Sequence, residues 1–196
     1  MDIKKKINHF RIFTKEELIQ KCIQNKSFQP YIDFLTTFKK EYINTLRSYY
    51  KNINLIKYIK NDKQKLLDEN SSSKIYYIFY LQNHIPVGMS KIYVTQQNSD
   101  TKQKKKLLYQ IKNQLHCQYN DIIYIFNSYV LPSHRGMGIN KHIFQFIKNK
   151  FKKTNKKYIV ITIHKDNIPS IKSYEKIGFV KTDIQTFEDD YYYYTL

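Results

Sequence analysis

Hydrophobic and polar positions change period along this chain, and the changes divide it into strands and helices. Alternating or continuous apolar runs predict strands at 7–13, 75–81, 86–95, 121–130 and 158–163, and a last hairpin from 179–182 and 188–195. A period near 3.6 predicts helices at 15–25, 28–50, 53–67, 139–152 and 167–176. This mixed order predicts a single α/β domain in which helices pack on one buried sheet.

Local signals predict several element boundaries. Thr14-Lys15-Glu16-Glu17 matches a capping box at the start of the first helix. Gln82-Asn83-His84 predicts a turn between two strands, and Gly178 is placed to end the last helix in the left-handed conformation. Residues 71–73 and 96–106 are polar and predict loops, whereas 107–117 is compatible with a short helix or an extra strand.

Composition favours a protein that is neither secreted nor membrane-bound. No run of 18 apolar residues is present, and the basic start of the chain has no apolar segment after it. Cys22 and Cys117 are far apart and predict free thiols in a reducing compartment. The amphipathic, lysine-rich segment 53–67 favours a helix packed on the core over one lying on a membrane. These features predict a cytoplasmic protein.

The formal charge of +18 raises the alternative of a nucleic-acid-binding protein. Only three of the 34 basic residues are arginine, and arginine is the usual choice for groove readout and phosphate forks. Lysine, isoleucine, asparagine and tyrosine dominate together, as AT-rich codons would produce. Solvated lysine faces are therefore the favoured reading, and nucleic acid is an unlikely partner. A polycationic substrate would be repelled.

Glycine is rare, with four in 196 residues, yet two of them stand in Arg135-Gly136-Met137-Gly138-Ile139-Asn140. This segment joins the predicted strand 121–130 to the predicted helix 139–152. A strand, a glycine loop and a helix together aim bare backbone amides at a phosphate. The sequence thus predicts an anion cradle for a phosphorylated cofactor.

A second motif runs from Asn167 through Ser170 and Tyr174 to Gly178-Phe179, one helix and one strand beyond the first. Together the two motifs resemble the GNAT superfamily of N-acetyltransferases, most specifically over 121–182. The resemblance implies a mixed, mostly antiparallel central sheet flanked by helices. It implies one domain over 1–196, in which 1–70 lines the acceptor side and 121–182 binds the cofactor.

The resemblance also implies that acetyl-CoA is the acyl donor. Its pyrophosphate would bind the first motif, Arg135, Gly136, Met137, Gly138, Ile139 and Asn140. Asn140 stands where the family prefers glycine or alanine. Backbone groups of Tyr129, Val130 and Leu131 would pair with the pantetheine arm, and Asn167 would contact that arm besides capping its helix. His134, Lys141, Lys172 and Lys176 are weaker candidates for phosphate contacts.

Tyr174 matches the family position of a general acid, because a phenol beside the departing sulfur can lend it a proton. The family often places a basic glutamate six residues before the terminal valine of the strand. Tyr124 occupies that position here and is a poor base at pH 7, so Asn127 could hold a water instead. The acidic residues 188–190 could face an amine. No metal-ligand spacing is present.

The leading prediction is an N-acetyltransferase that acts directly on a primary amine of a small molecule or a protein. One alternative is a GNAT-like module that binds CoA or a partner without catalysis, favoured by Tyr124 and Asn140. The other is a basic nucleic-acid-binding protein. The sequence does not identify the acceptor amine, and it does not decide whether the protein is a monomer or a homodimer.

Overall fold

A computed structural model describes residues 8–49, 74–94, 109–152, 154, 156–183 and 191–195. The predicted elements at 53–67 and 71–73, the loop 96–106 and the acidic residues 188–190 lie outside the described residues.

The N-terminal part of the chain forms β1 (Asn8–Thr14), α1 (Lys15–Gln24) and α2 (Gln29–Tyr49). The Glu17 amide donates to the Thr14 hydroxyl over 3.2 Å, and the Thr14 amide donates to the Glu17 carboxylate over 2.8 Å. This capping box makes α1 begin directly after the strand. The predicted bounds of all three elements are confirmed to within one residue.

The central part of the chain forms β2 (Lys74–Gln82), β3 (Ile85–Val94) and β4 (Ile122–Val130). Asn83 and His84 make the turn between β2 and β3 with positive φ angles of 48° and 68°. Such angles match the twist of a tight hairpin. Residues 109–114 are helical, which decides that part of the ambiguous segment 107–117.

The C-terminal part forms α3 (Ile139–Phe151), β5 (Tyr158–His164), α4 (Ile168–Glu175), β6 (Val180–Lys181) and β7 (Tyr191–Thr195). Gly178 has φ 102°, so the prediction that glycine ends this helix in a left-handed conformation is confirmed.

The strands form one seven-stranded sheet in the order β1-β2-β3-β4-β5-β7-β6. Only the β4–β5 pair is parallel among the described strands. The predicted mixed, mostly antiparallel sheet is confirmed. Its two faces carry separate cores, one formed with α1 and α2 around Phe13, Tyr31, Phe34 and Phe79, the other with α3 and α4 around Ile125, Ile143, Phe144 and Tyr174.

Two irregularities open this sheet beside β4. Lys91 pairs with Asn127 and Ile92 with Ile125, so Phe126 is an extra residue in a β-bulge. The parallel pairing of β4 with β5 covers only residues 122–125 of β4. Among the described residues, the second half of β4 is therefore paired on its β3 side alone, and its other edge is open to an extended ligand.

Candidate active site

The open edge of β4 leads into the glycine loop. A turn at Pro132–His134 is followed by Gly136 and Gly138, with φ angles of 78° and 73°, and α3 begins at Ile139. A Cβ atom on either glycine would have no heavy atom within 4 Å. Both glycines are therefore required by the left-handed backbone and not by tight packing.

The amides at this helix start have no acceptor among the described residues. In the described part of the chain, no carbonyl accepts from the amides of 136–141, although the next one, of His142, donates to Gly138 over 3.2 Å. Free amides and the positive end of a helix dipole favour an anion. The loop can therefore hold a phosphate group, and space remains around both glycines to admit it.

Gly88 on β3 is a site residue that the sequence reasoning missed. A Cβ there would lie 2.6 Å from Ile139 Cγ2 and 3.2 Å from Ile143 Cδ1. Its absence lets the start of α3 rest on the sheet beside the end of β4. A lone glycine inside a predicted strand is a known sign of such a close approach, and could have identified it.

Arg135 is turned toward the protein itself. Its Nε donates to the Val130 carbonyl over 3.2 Å and its Nη2 lies 2.6 Å from Glu41 Oε2 on α2. Its amide donates to Pro132, and its guanidinium lies 5.8 Å from the centre of the Tyr129 ring. The described contacts of Arg135 anchor the loop to β4 and α2, and its role in binding the cofactor stays a prediction.

The backbone groups of Tyr129 and Leu131, which are predicted to pair with an extended ligand, face β3 in this structure. The Leu131 amide donates to Val87 over 3.0 Å and its carbonyl accepts from His134 over 2.8 Å, so both groups are occupied. Backbone groups alternate between the two edges of a strand, so Tyr129 faces β3 as well. The open edge belongs to Val130, as predicted, and to Ser128, which was not predicted.

Side chains at the glycine loop differ in placement. Met137 is 55% exposed, whereas the Ile139 side chain is buried against the sheet and only its amide faces the loop. The Asn140 Oδ1 is buried without a hydrogen-bond partner in the described structure. The departure from glycine or alanine at 140 thus places an unpaired polar atom in the first turn of α3.

The second motif meets the open edge through Tyr174. Asn167 Oδ1 accepts from the Ser170 amide over 3.3 Å, so its predicted capping role is confirmed. Tyr174 is 5% exposed and packs against Phe179, and Ser128 of β4 is near enough to affect its ionisation. Burial raises the pKa of Tyr174 to about 12, and the Ser128 hydroxyl opposes that rise.

Tyr124, the second predicted catalytic residue, lies on the other face of the sheet from Tyr174. It packs against the core that contains α1 and α2, whereas Tyr174 belongs to the other core. The Tyr124 hydroxyl shares a hydrogen bond of 2.6 Å with Thr162 of β5, the residue after the last β4–β5 pair, Ile125 with Ile161. Asn127, the third, follows the bulge and is half-buried.

The comparisons agree with this architecture. The profile of the Acetyltransferase (GNAT) family matches residues 40–179, more than half of the chain. The chain therefore belongs to the GNAT acetyltransferase family. A comparison with curated proteins found no match.

Solved structures share the fold at low sequence identity. The N-acetyltransferase PseH of Campylobacter jejuni is 15% identical, with a TM-score of 0.50 over 95% of this chain and 96% of that one. A probable acetyltransferase of Staphylococcus epidermidis is 14% identical, with a TM-score of 0.52 over 97% and 98%. An uncharacterized protein of Bacillus halodurans is 16% identical, with a TM-score of 0.53 over 97% and 83%. These likenesses show the fold alone.

No helix in the described part of the chain combines the length and apolar character needed to cross a membrane. No cluster of three or more His, Cys, Asp or Glu side chains is arranged there to hold a metal ion.

Proposed function

We propose that this protein is an acetyl-CoA-dependent N-acetyltransferase that acetylates a primary amine directly, without a covalent enzyme intermediate. The observation that carries the proposal is the set of amides at 136–141, which have no acceptor among the described carbonyls and lie where the open edge of β4 ends. An extended, anionic acyl donor matches both features, and membership of the GNAT family supports that choice.

The protein's part in holding the donor follows from the backbone. The amides at 136–141 would bind the pyrophosphate, and the outward backbone groups of Ser128 and Val130 would pair with the pantetheine arm as an added strand does. The Val130 carbonyl already accepts from Arg135, so at Val130 only the amide would pair with the donor. The bound donor supplies an acetyl group activated as a thioester.

The acceptor amine must reach its neutral form. A lysine-like amine with a pKa of about 10.4 is about 3.4 units from neutrality at pH 7, which costs about 4.6 kcal/mol. Asn127 and the Tyr124–Thr162 pair would hold a water that takes the proton. Transfer joins the amine nitrogen to the acetyl carbon and breaks the bond to sulfur, so one proton leaves nitrogen and one is gained by sulfur.

Tyr174 would assist the departing sulfur. Because its pKa is raised to about 12 and a thiol ionises near ~8.5, complete proton donation from the resting phenol is uphill by about 3.5 units, or about 4.8 kcal/mol. The phenol would therefore act first as a hydrogen-bond donor to the charge that develops on sulfur.

The test separates binding from catalysis. Acetyl-CoA at 100 times its dissociation constant is expected to stabilise the fold by about 2.7 kcal/mol, measured as a thermal shift. Thiol release is then followed with a panel of primary amines. Release that depends on an amine supports the proposal, whereas a thermal shift without release from any amine favours a binding module. The absence of any shift at millimolar acetyl-CoA overturns both.

Tyr174→Phe tests whether Tyr174 is the residue that assists the departing sulfur. The substitution removes the phenol proton and keeps the ring, so acetyl-CoA should still stabilise the variant while turnover falls by about 100-fold or more. The measurements are the thermal shift and the rate of thiol release. An unchanged rate would reassign the acid.

A further inference from the structure

Asn140 combines a buried polar atom with a position in the first turn of α3. Its Oδ1 is buried and has no hydrogen-bond partner in the described structure. A buried carbonyl oxygen without a partner lowers the stability of a fold, and most such oxygens in native proteins are paired. This one lies beside the glycine loop, whose amides at 136–141 have no acceptor among the described carbonyls. An unpaired acceptor beside unpaired donors is the pattern of a ligand site in which each group pairs with the ligand.

Helix geometry places Asn140 on the side of α3 that faces α4. Residues four apart on a helix share a face, so Asn140 lies one turn before Phe144. The Phe144 ring packs on Phe179 with 4.5 Å between ring centres, and the Phe179 ring packs on Tyr174 at 5.3 Å. Helical side chains lean toward the N-terminus, so the amide of Asn140 extends from this row toward the glycine loop. It therefore borders the route from the loop to Tyr174 that the arm of the proposed donor would follow.

We propose that Asn140 selects the acyl donor by accepting a hydrogen bond from its pantetheine arm, at the hydroxyl or the amide N–H nearest the pyrophosphate. The inference rests on the proposed function and names a residue that recognises the arm. Asn140 is a specificity-determining residue in this assignment and takes no part in the transfer itself. It distinguishes a donor with a pantetheine arm from a bare nucleotide diphosphate.

The chemistry of the Asn140 oxygen decides which part of the donor it can meet. A carbonyl oxygen only accepts hydrogen bonds. An ionised pyrophosphate offers only acceptors, so it pairs with backbone amides and not with this oxygen. The arm that follows the pyrophosphate carries a hydroxyl and two amide N–H groups, each of which can donate. Because the residue as a whole is half-buried and its terminal torsion is broad, a small rotation presents the oxygen to such a group.

A polar residue that is kept for a ligand has opposite effects on stability and on binding. Asn140→Ala removes the unpaired oxygen and favours the helix, so the ligand-free protein should melt about 2–4 °C higher. The same substitution leaves a donor group of the arm without its partner, so the dissociation constant of acetyl-CoA should rise about tenfold. Replacing an asparagine with only a structural role would lower the melting temperature and leave binding unchanged.

The decisive experiment titrates the wild type and Asn140→Ala with two ligands by calorimetry. Acetyl-CoA carries the pyrophosphate and the arm, whereas ADP carries a pyrophosphate without the arm. We expect the tenfold loss for acetyl-CoA and a loss below about twofold for ADP. An equal loss for both ligands would mean that the amide meets the phosphate, and it overturns the proposal. If ADP binds neither protein, the opposite signs of the stability and affinity changes decide.

The melting temperature of the ligand-free protein gives a second way to overturn the proposal. A lower value for Asn140→Ala would mean that the oxygen already has a partner in the protein. If Asn140→Ala does not fold, Asn140→Leu decides in its place, because leucine keeps the size of the side chain and removes both polar atoms. It should show the same loss of affinity for acetyl-CoA.

Asn149→Ala is the matched control. Asn149 is an exposed asparagine on the same helix, and its Oδ1 accepts from Gln145 Nε2 over 3.0 Å, so its replacement should leave the affinity for acetyl-CoA unchanged. A wild-type protein that binds neither ligand overturns the proposed function itself. Binding of acetyl-CoA that Asn140→Ala retains at the wild-type affinity overturns the role of Asn140 alone.

Discussion

At the scale of single residues, Gly88 and Gly138 serve the donor loop in different ways. Gly88 gives space to α3, whereas Gly138 gives the loop a backbone conformation. Substitution by alanine should therefore lower the free energy of unfolding at both positions, but for a different physical reason at each.

Gly88→Ala is expected to destabilise the protein by about 1–3 kcal/mol, because its Cβ would lie 2.6 Å from Ile139 Cγ2 and the core has to be overpacked or shifted. Urea unfolding measures the loss. The loss caused by Gly88→Ala is measured again in two backgrounds. Ile139→Val removes only the Ile Cδ1 and keeps the crowding Cγ2, so the loss should persist there, whereas Ile139→Ala removes the crowding atom, so adding Gly88→Ala to it should cost less. An equal cost of Gly88→Ala in the Ile139→Ala background and in the wild type would contradict the steric cause.

Gly138→Ala should cost about 1–2 kcal/mol, because an L-residue is strained at φ 73° even where space is free. Gly138→Asn is the control, since asparagine tolerates the left-handed region and should cost less. Urea unfolding and acetyl-CoA binding are measured together. Equal losses for alanine and asparagine would place the cause outside the backbone conformation.

Sequence alone predicted the local features of the candidate site. The glycine loop before α3 and the cap at Asn167 depend on neighbours within a few positions. The contacts of Arg135 with Glu41 and of Leu131 with Val87 were not predicted, because these partners are 94 and 44 residues away. Gly88 was missed for the same reason, because Ile139, which approaches it, is distant in sequence.

At the scale of elements, boundaries were predictable and associations were less so. The capping box at Thr14 and the apolar periods predicted most of the described helices and strands to within one residue, but left the helix at 109–114 undecided, and the predicted start of the last strand at 188 lies outside the described residues. The β-bulge at Phe126 and the short β4–β5 pairing were not predicted, because both depend on register between strands that are distant in sequence. These two irregularities open the edge of β4, so the open edge beside the glycine loop could not be predicted from the sequence.

The contact of Arg135 with Glu41 joins the glycine loop to α2, and substitutions at Arg135 test whether this contact supports donor binding. Arg135 is 55% exposed and Glu41 33%, so the pair itself should contribute only about 0.5–1 kcal/mol to stability. Arg135→Ala also frees the Val130 carbonyl and loosens the loop. We expect the KM for acetyl-CoA to rise about fivefold, as a loss of about 1 kcal/mol implies.

Arg135→Lys is the matched control for that prediction. Lysine keeps the charge but lacks the fork that reaches Val130 and Glu41 together, so it should resemble alanine more than arginine. Glu41→Gln should add nothing in the Arg135→Ala background. Wild-type kinetics for Arg135→Lys would show that charge alone matters, and would contradict the anchoring role.

At the scale of the whole molecule, two buried phenols make stability depend on alkaline pH. Burial raises the pKa of Tyr129 and of Tyr174 to about 12, and the Glu41 carboxylate adds to the rise at Tyr129. An unfolded chain releases these protons near pH ~10. Between about pH 10 and 12 the folded protein therefore holds more protons than the unfolded chain, and the free energy of unfolding falls as pH rises.

Tyr174→Phe should reduce that alkaline loss of stability. A rise of two units in one pKa corresponds to at most about 2.7 kcal/mol, fully present below pH 10 and lost by pH 12. Urea unfolding at pH 8 to 11 should show a smaller fall for the variant than for the wild type. Tyr109→Phe, which removes an exposed phenol, is the matched control and should retain the wild-type slope. The slope counts protons and not contacts. A Tyr174→Phe protein with the wild-type slope would therefore mean that this phenol ionises alike in both states, which is incompatible with the burial that raises its pKa.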